Sequence, residues 1–407
     1  MLIKRITLLG HKDHGKSTLI GNMLILTNRV NPAKYREAER LSKSLGTRFE
    51  PGYILDSFQE ERTGGLTIDT TRTEKIPYND LAFEFIDVPG HEELIKNMIS
   101  GASYADMALL IVSTKREEGI KEQTKRHLFI ARMLGIHRLV VAVNKMDLSG
   151  YKEEIFEEVK KELIKFIERI GFSKANIYFV PVSAYYKDNL TTKSKKMKWY
   201  RGKPLLDLLY EEAKKEDPIE AEERALRVVL QGFVDSERSF IGGKIVSGKM
   251  KLGEKVHILP DGFKSSIREI VVKATKVKRA DFGASVAVKL KDKIRSEVRG
   301  SVMTDGSDLP IVGRETKALI FVTHQLGKNP MVKFNGVDIH CKGLKILKVI
   351  DTTTGEQKKG KLKRLDAIEA KIDFGKKMAV ESFEKTKELG RFVLFSKDKF
   401  SGIGIVE

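Results

Sequence analysis

The sequence predicts an α/β domain built on a doubly wound, mostly parallel sheet, followed by two β-barrel domains. Three observations carry that prediction. Over residues 1–220, apolar runs of strand length alternate with helical stretches such as EEIFEEVKKELIKFIERIG at 153–171, the pattern of βαβ units. Polar motifs follow directly after several of those runs, where the carboxyl ends of parallel strands collect ligands. After the charged segment EEAKKEDPIEAEER at 211–224 the texture changes to short β-rich runs broken by glycine, as in GGKIVSGKMKLGEKVHILPDG at 242–262, which is the spacing of barrels. The 407 residues also exceed the size at which one core keeps growing. The expected division is 1–222 for the α/β domain, 223–308 for the first barrel and 312–407 for the second, with Asp308-Leu309-Pro310 near the junction.

The first strand-like run, LIKRITLL, leads into GHKDHGKS at 10–17, which fits the phosphate-binding pattern GxxxxGK[ST]. Gly10 and Gly15 let the backbone turn tightly and aim its N–H groups at phosphate oxygens, near the positive end of the next helix. His11, Asp13 and His14 fill the loop between them, Lys16 falls between the β- and γ-phosphates, the Ser17 hydroxyl holds Mg²⁺, and Thr18 completes the phosphate-binding set. Taken alone, these residues also fit a glycine-rich turn with a chance lysine. The run LAFEFIDVPGH at 81–91 ends in Asp87, whose carboxylate can reach Mg²⁺ through water, and Gly90, whose N–H can meet the γ-phosphate. The run LVVAVNKMD at 139–147 ends in Asn144, Lys145 and Asp147, and here the chemistry discriminates between bases. Guanine presents N1–H and an exocyclic amine as adjacent donors, which the acceptor-only carboxylate of Asp147 takes together; adenine offers no such pair. Finally IYFVPVSA at 177–184 ends in Ser183 and Ala184, whose backbone can face the base O6. Four phosphate- and base-directed signals in this order point to GTP.

Together GHKDHGKST, GGLTID, DVPGHEELIKNM, NKMD and VSA resemble the translational GTPases of the elongation factor Tu and elongation factor 1 alpha class. The resemblance covers the first half of the chain motif by motif and the second half by order and general pattern. It implies a P-loop GTPase domain that hydrolyses GTP to GDP and phosphate, with Lys16, Thr67 and His91 as the catalytic set. Thr67 matches the switch threonine that ligates Mg²⁺ only beside the γ-phosphate, and His91 the histidine that positions the attacking water. Asp13 matches an aspartate associated with a monovalent cation. The implied partners are tRNA, the ribosome and a nucleotide-exchange factor, with the protein itself a monomer. Two positions depart from the pattern: Lys12 stands where the family usually has valine, and Gly64 where it has arginine, which bears on control of hydrolysis. A second resemblance is to the GTPase subunit of the two-subunit ATP sulfurylase, whose partner is the sulfurylase catalytic subunit. It rests on the three-domain plan, on residues 242–262 and on KMKWYRGKPLLDLL, but Asp13-His14-Gly15-Lys16 departs from the Asp-Asp-Gly-Lys of that subunit. Both readings stay open on sequence.

The net charge is +19, and about +15 of it falls on residues 225–407. That excess reads as a footprint for phosphate-rich RNA, with KATKVKR at 273–279 and KKGKLKR at 358–364 as candidate contacts; a solvated lysine face is the alternative for either run. The single cysteine, Cys341, excludes an intramolecular disulfide, fits a cytoplasmic location and is expected to be a small buried residue. No apolar run approaches the ~20 residues of a membrane span, so no membrane association is expected. The lone Trp199 is expected to serve packing.

Overall fold

The structure is a computed structural model that describes residues 2–55, 71–73, 75–87, 105–115, 120–215 and 224–407. By compactness the chain forms two units, Met1–Lys215 with Thr352–Glu356, and Glu216–Asp351 with Gln357–Glu407.

The first unit carries strands β1 (Leu2–Leu9), β2 (Thr71–Arg72), β3 (Ile76–Tyr78), β4 (Leu81–Asp87), β5 (Met107–Ser113), β6 (Leu139–Asn144) and β7 (Ile177–Pro181). Its helices are α1 (Lys16–Leu26), α2 (Pro32–Ser44), α3 (Glu122–Met133), α4 (Glu153–Arg169) and α5 (Leu205–Lys214). The sheet order is β2-β4-β1-β5-β6-β7, with β3 also on β4. The run from β4 to β7 is parallel, and β2 and β3 are antiparallel to β4. Every residue of MALLIVS and LVVAVN is buried, as expected for parallel strands covered on both faces. Helix α2 starts where the Asn31 side chain accepts the Ala33 N–H (2.9 Å) and Pro32 supplies a preset first turn. Helix α4 lays Phe156, Leu163, Phe166 and Ile167 inward at helical spacing, and α5 does the same with Leu205, Leu206 and Leu209. The register pairs Leu8 with Asp87, Ser113 with Asn144 and Val143 with Pro181. The carboxyl ends of these strands therefore share one edge, and the loops carrying the sequence motifs leave from it.

The second unit contains β8 (Arg227–Phe233), β9 (Ile241–Ser247), β10 (Met250–Lys251), β11 (Lys255–Leu259), β12 (Phe263–Val272), β13 (Thr275–Val277), β14 (Arg279–Ala280), β15 (Ser285–Leu290) and β16 (Val302–Thr304). Strands β11, β16, β8, β9, β15 and β12 pair in turn, and β12 pairs back onto β11, which closes a barrel around Val228, Ile245, Ile258, Ile270 and Val288. The C-terminal strands are β17 (Ile311–Val322), β18 (Met331–Phe334), β19 (Val337–His340), β20 (Gly343–Asp351), β21 (Glu356–Gln357), β22 (Ala367–Val380), β23 (Arg391–Ser396) and β24 (Lys399–Val406). They form one sheet in the order β19-β18-β23-β24-β17-β22-β20-β21 around Phe334, Phe374 and Phe392, with Phe334 stacked on Phe374 at 5.8 Å. Among the described residues no ladder joins β19 to β21, but β19 runs through Cys341 and Lys342 directly into β20, and the Lys342 N–H donates to the Asp373 carbonyl of β22 (2.8 Å), so the ends of the sheet meet around this core.

Both β-regions belong to the same unit for a physical reason. Val246, Leu259 and Val302 of the barrel share a core with Ala379 and Leu389 of the C-terminal sheet. Beside it, the 1% exposed Arg227 side chain grips Glu381 through Nη2–Oε1 (2.7 Å) and Nε–Oε2 (3.2 Å), and donates to Thr304 Oγ1 (3.0 Å). Burial alone would raise the Glu381 carboxyl, but hydrogen bonds from Arg227, Lys385 and Thr386 outweigh it and hold the group below its ordinary value.

Cys341 is buried in the C-terminal core, and burial, with Asp373 adding to it, pushes its thiol up to about 12. Trp199 packs against Phe156 at 5.4 Å and donates its indole N–H to the Tyr151 carbonyl at 2.8 Å.

Candidate nucleotide-binding site

At the carboxyl edge of the parallel sheet lies a cleft of about 510 Å³. The loop after β1 supplies Asp13, Gly15, Ser17 and Thr18 to it; the turn after β6 supplies Asn144, Lys145 and Asp147; the segment after β7 supplies Ala184, Tyr185 and Tyr186. Of the predicted residues, Gly10, His11, Asp13, His14, Gly15, Lys16, Ser17 and Thr18 lie on or under this loop. Asp87 closes β4 at the register of Leu8. Thr67, Gly90 and His91, and also Gly64, lie outside the described residues, as do the side chains of Asp87 and Lys12.

The loop's two glycines are dictated by space as well as by dihedral. At Gly10 (φ +134°) a Cβ would sit 2.3 Å from the Ile111 carbonyl oxygen, and at Gly15 (φ +84°) it would sit 2.5 Å from Asn144 Nδ2. His14, fully buried, donates Nδ1–H to that same Ile111 carbonyl (3.1 Å), since a carbonyl can only accept. Lys16 folds back over the loop, with Nζ donating to the carbonyls of Gly10 (2.9 Å) and His11 (3.2 Å). His11 Nδ1 is 3.5 Å from Asp13 Oδ2. Behind the loop, His127 of α3 is buried; burial first, then Lys16 and Arg126, pushes it down to about 4, so it is neutral at physiological pH.

The base-directed residues are tied to the phosphate-directed loop by a side chain at the end of β6. Asn144, 2% exposed, donates Nδ2–H to the His14 carbonyl (2.8 Å) and accepts the Ala184 N–H on Oδ1 (2.8 Å). Asp147 is held by the Ser183 hydroxyl, which donates to Oδ1 at 2.5 Å. The N–H groups of Ser183 and Ala184 are both engaged within the chain, by the Asp188 carbonyl (3.2 Å) and Asn144 respectively. Lys145 sits at φ +64°, and its carbonyl accepts the Thr114 hydroxyl (2.8 Å).

Several residues of the site carry no sequence motif. Asn22, buried in α1, donates to the Ala184 carbonyl at 2.6 Å. Tyr185 and Tyr186 wall the cleft where the base would lie, with rings 5.2 Å apart edge to face. Glu50 also lines the cleft, and its Oε1 accepts the Thr18 hydroxyl at 2.7 Å. The exposed Ser17 hydroxyl is a hard oxygen donor of the kind Mg²⁺ takes together with substrate phosphates, and Asp87 ends the neighbouring strand at the same edge, so the residues present fit that ion.

A parallel sheet with a glycine-bounded loop at its edge, followed by a closed barrel and a second β-sheet, defines a P-loop GTPase with β-rich C-terminal domains. Comparison with known proteins agrees. The family described as "Elongation factor Tu GTP binding domain" matches residues 1–215, and the one described as "GTP-eEF1A C-terminal domain-like" matches residues 317–407. The chain is 33% identical to elongation factor 1-alpha of Aeropyrum pernix, covering 98% of this chain and 95% of that one. It is 32% identical to elongation factor 1-alpha of Saccharolobus solfataricus, over 98% and 96%, and 34% identical to that of Pyrobaculum calidifontis, over 96% and 90%. The chain belongs to the translational GTPase superfamily. It is a translation GTPase, with GTP as substrate and GDP as product. Among the described residues no helix is long and apolar enough to cross a membrane.

Proposed function

We propose that the protein is a GTP-driven switch that binds tRNA, or a protein shaped like it, in the GTP state and releases it after ribosome-stimulated hydrolysis. The observation that carries this reading is the near full-length likeness to elongation factor 1-alpha, at 33% identity over 98% of the chain. The charge agrees with it: about +15 of the net +19 lies on residues 225–407. Lys273, Lys276, Lys278 and Arg279 are all exposed, although Lys276 and Arg279 pair with Glu269 (3.0 Å) and Asp281 (2.7 Å).

In the cleft, guanine would lie between Asp147 and the Tyr185 wall, and its two donors would go to the Asp147 carboxylate that Ser183 orients. Lys16 would exchange the Gly10 and His11 carbonyls for β- and γ-phosphate oxygens. Mg²⁺, held by Ser17, Thr67 and, through water, Asp87, would supply charge neutralisation between the phosphates. His91 would orient the attacking water, and the Gly90 N–H would receive the γ-phosphate. Hydrolysis then rests on positioning and charge stabilisation, with no covalent intermediate. Loss of the γ-phosphate removes the contacts of Thr67 and Gly90 and reverses the switch.

The test is GTP turnover by the full chain alone, with purified ribosomes, and with charged tRNA, at two salt concentrations. Ribosome-dependent stimulation is expected. Intact GTP binding without any stimulation would overturn the tRNA and ribosome roles and direct attention to a sulfurylase partner.

A further inference from the structure

The Glu50 carboxylate stands where a phosphate oxygen would be received. Its Oε1 accepts the Thr18 hydroxyl (2.7 Å) and the Gly52 N–H (3.0 Å), one hydroxyl and one backbone donor, the pair a phosphate oxygen also takes. A Cβ built on Gly52 would be 3.2 Å from Glu50 Oε1 and 3.2 Å from Ser17 Cβ, which places the carboxylate oxygen within about 6.4 Å of the carbon bearing the Ser17 hydroxyl. The group is built into place. Its N–H donates to the Ser42 hydroxyl (3.0 Å), which is itself buried at the end of α2 and donates to the Ala38 carbonyl (2.8 Å). The preceding Phe49 packs on Tyr35 of α2 at 4.9 Å. The Thr18 hydroxyl, the Gly52 N–H and the N-terminal end of α1 offset the Glu50 charge.

We propose that Glu50 is an internal anionic competitor for the phosphate end of the cleft and makes nucleotide binding depend on Mg²⁺. The inference rests on the reading of this cleft as the nucleotide site. While Thr18 donates to Glu50 it cannot donate to a phosphate, and a metal-free diphosphate arriving beside Ser17 meets a fixed like charge. A metal-bound nucleotide brings the positive charge that offsets Glu50; a metal-free one does not. Removing the charge while keeping the acceptor therefore favours the metal-free nucleotide selectively, by about tenfold for one unit charge at this separation in a partly exposed cleft.

The experiment is calorimetric titration of the full-length protein with GDP, in saturating Mg²⁺ and in EDTA, for wild type, Glu50→Gln and Glu50→Ala. Trp199 fluorescence checks that each variant keeps the fold of the first unit. The expected result is that Glu50→Gln tightens GDP binding about tenfold in EDTA and less than about threefold in Mg²⁺, with Glu50→Ala moving the same way. Unchanged or weaker binding in EDTA for both variants overturns the proposal, as does a loss confined to Mg²⁺ conditions, which would make Glu50 a metal ligand. Failure of the wild type to bind GDP in either condition refutes the reading of the cleft itself.

Discussion

Replacing Asn144 with alanine removes a side chain that ties the phosphate-binding loop to the base-binding segment. Asn144 is 2% exposed and its two hydrogen bonds, to the His14 carbonyl and from the Ala184 N–H, are both 2.8 Å long. Truncation removes a hydrogen bond from a buried carbonyl and one from a buried N–H, at about 1–3 kcal/mol each, or about 2–6 kcal/mol in all. The lower end applies if water enters the vacated space, which is polar enough to hold one. Trp199, the only tryptophan, lies in the same unit and is hydrogen-bonded to Tyr151, so its fluorescence follows unfolding of the unit that contains Asn144. With a urea m-value of about 2–3 kcal/mol/M, the midpoint should fall by roughly 0.7–3 M. GDP affinity should fall by at least about tenfold, because the two loops no longer hold a common geometry. Asn144→Asp can still accept from Ala184 but sets a buried carboxylate oxygen against the His14 carbonyl, and should lose at least as much as alanine at neutral pH. A midpoint shift below about 0.3 M with unchanged GDP affinity would refute the assignment of Asn144 as a fastener.

Asp147→Asn replaces two acceptors by an acceptor and a donor, so GDP affinity should fall about tenfold to a hundredfold while the xanthine nucleotide, which offers N1–H and a C2 carbonyl, gains; competition binding of GDP and XDP checks this. Glu381→Ala takes from the 1% exposed Arg227 guanidinium its two-pronged partner and leaves the half-exposed Asp308 at 3.5 Å as its carboxylate, so it should cost about 3 kcal/mol in the second unit, whereas Arg227→Met with Glu381→Leu should recover most of it; far-UV circular dichroism melts report the difference, and equal losses in both variants would sink it. His127 is pushed down to about 4 from 6.5, so the unfolded chain takes up this proton first as pH falls. Stability from this group is therefore intact above about pH 6.5 and lost between there and about pH 4, by about 2 kcal/mol at pH 5; His127→Leu should flatten that part of the urea-midpoint profile between pH 7 and 5.

What the sequence made legible was local in the chain. Gly10 and Gly15 are five residues apart, and both are forced by positive φ and close approach, of the Ile111 carbonyl to Gly10 and of the Asn144 side chain to Gly15. The apolar runs at β1, β4, β5, β6 and β7 were readable because parallel strands are buried on both faces, and their ends fixed where the loops emerge. The residues that escaped are made functional by partners far along the chain. Asn22 lies in a helix whose neighbours Ile20, Met23 and Leu24 read as plain core, and its partner Ala184 is 162 positions away. Glu50 gains its place from α2 and reaches Thr18 across 32 positions, while Arg227 and Glu381 are separated by 154. The C-terminal strands were expected as a second barrel from their texture, and they form one eight-stranded sheet whose end strand β19 runs into β20 through residues 341–342.

The segment Ser183-Ala184 shows why a weak sequence signal can mark a strongly determined position. The dipeptide itself offers only a hydroxyl and a methyl group. Its Ala184 N–H is taken by Asn144, its Ala184 carbonyl by Asn22, and its Ser183 hydroxyl is spent on Asp147. Three elements, α1, β6 and the turn after β6, therefore converge on two small residues, and a larger side chain at the 2% exposed Ala184 would have to displace at least one of them. Small size is thus required by what surrounds the pair, and the base-directed carboxylate of Asp147 inherits its orientation from that packing. A Ser183→Ala variant isolates the point. It keeps the small size and removes the hydrogen bond to Asp147 together with the longer one accepted from the Tyr186 N–H (3.4 Å), so GDP affinity should fall by about three- to tenfold while the Trp199 unfolding midpoint shifts little. A loss of stability without a loss of affinity would mean that Ser183 supports the fold of the turn and does not orient Asp147.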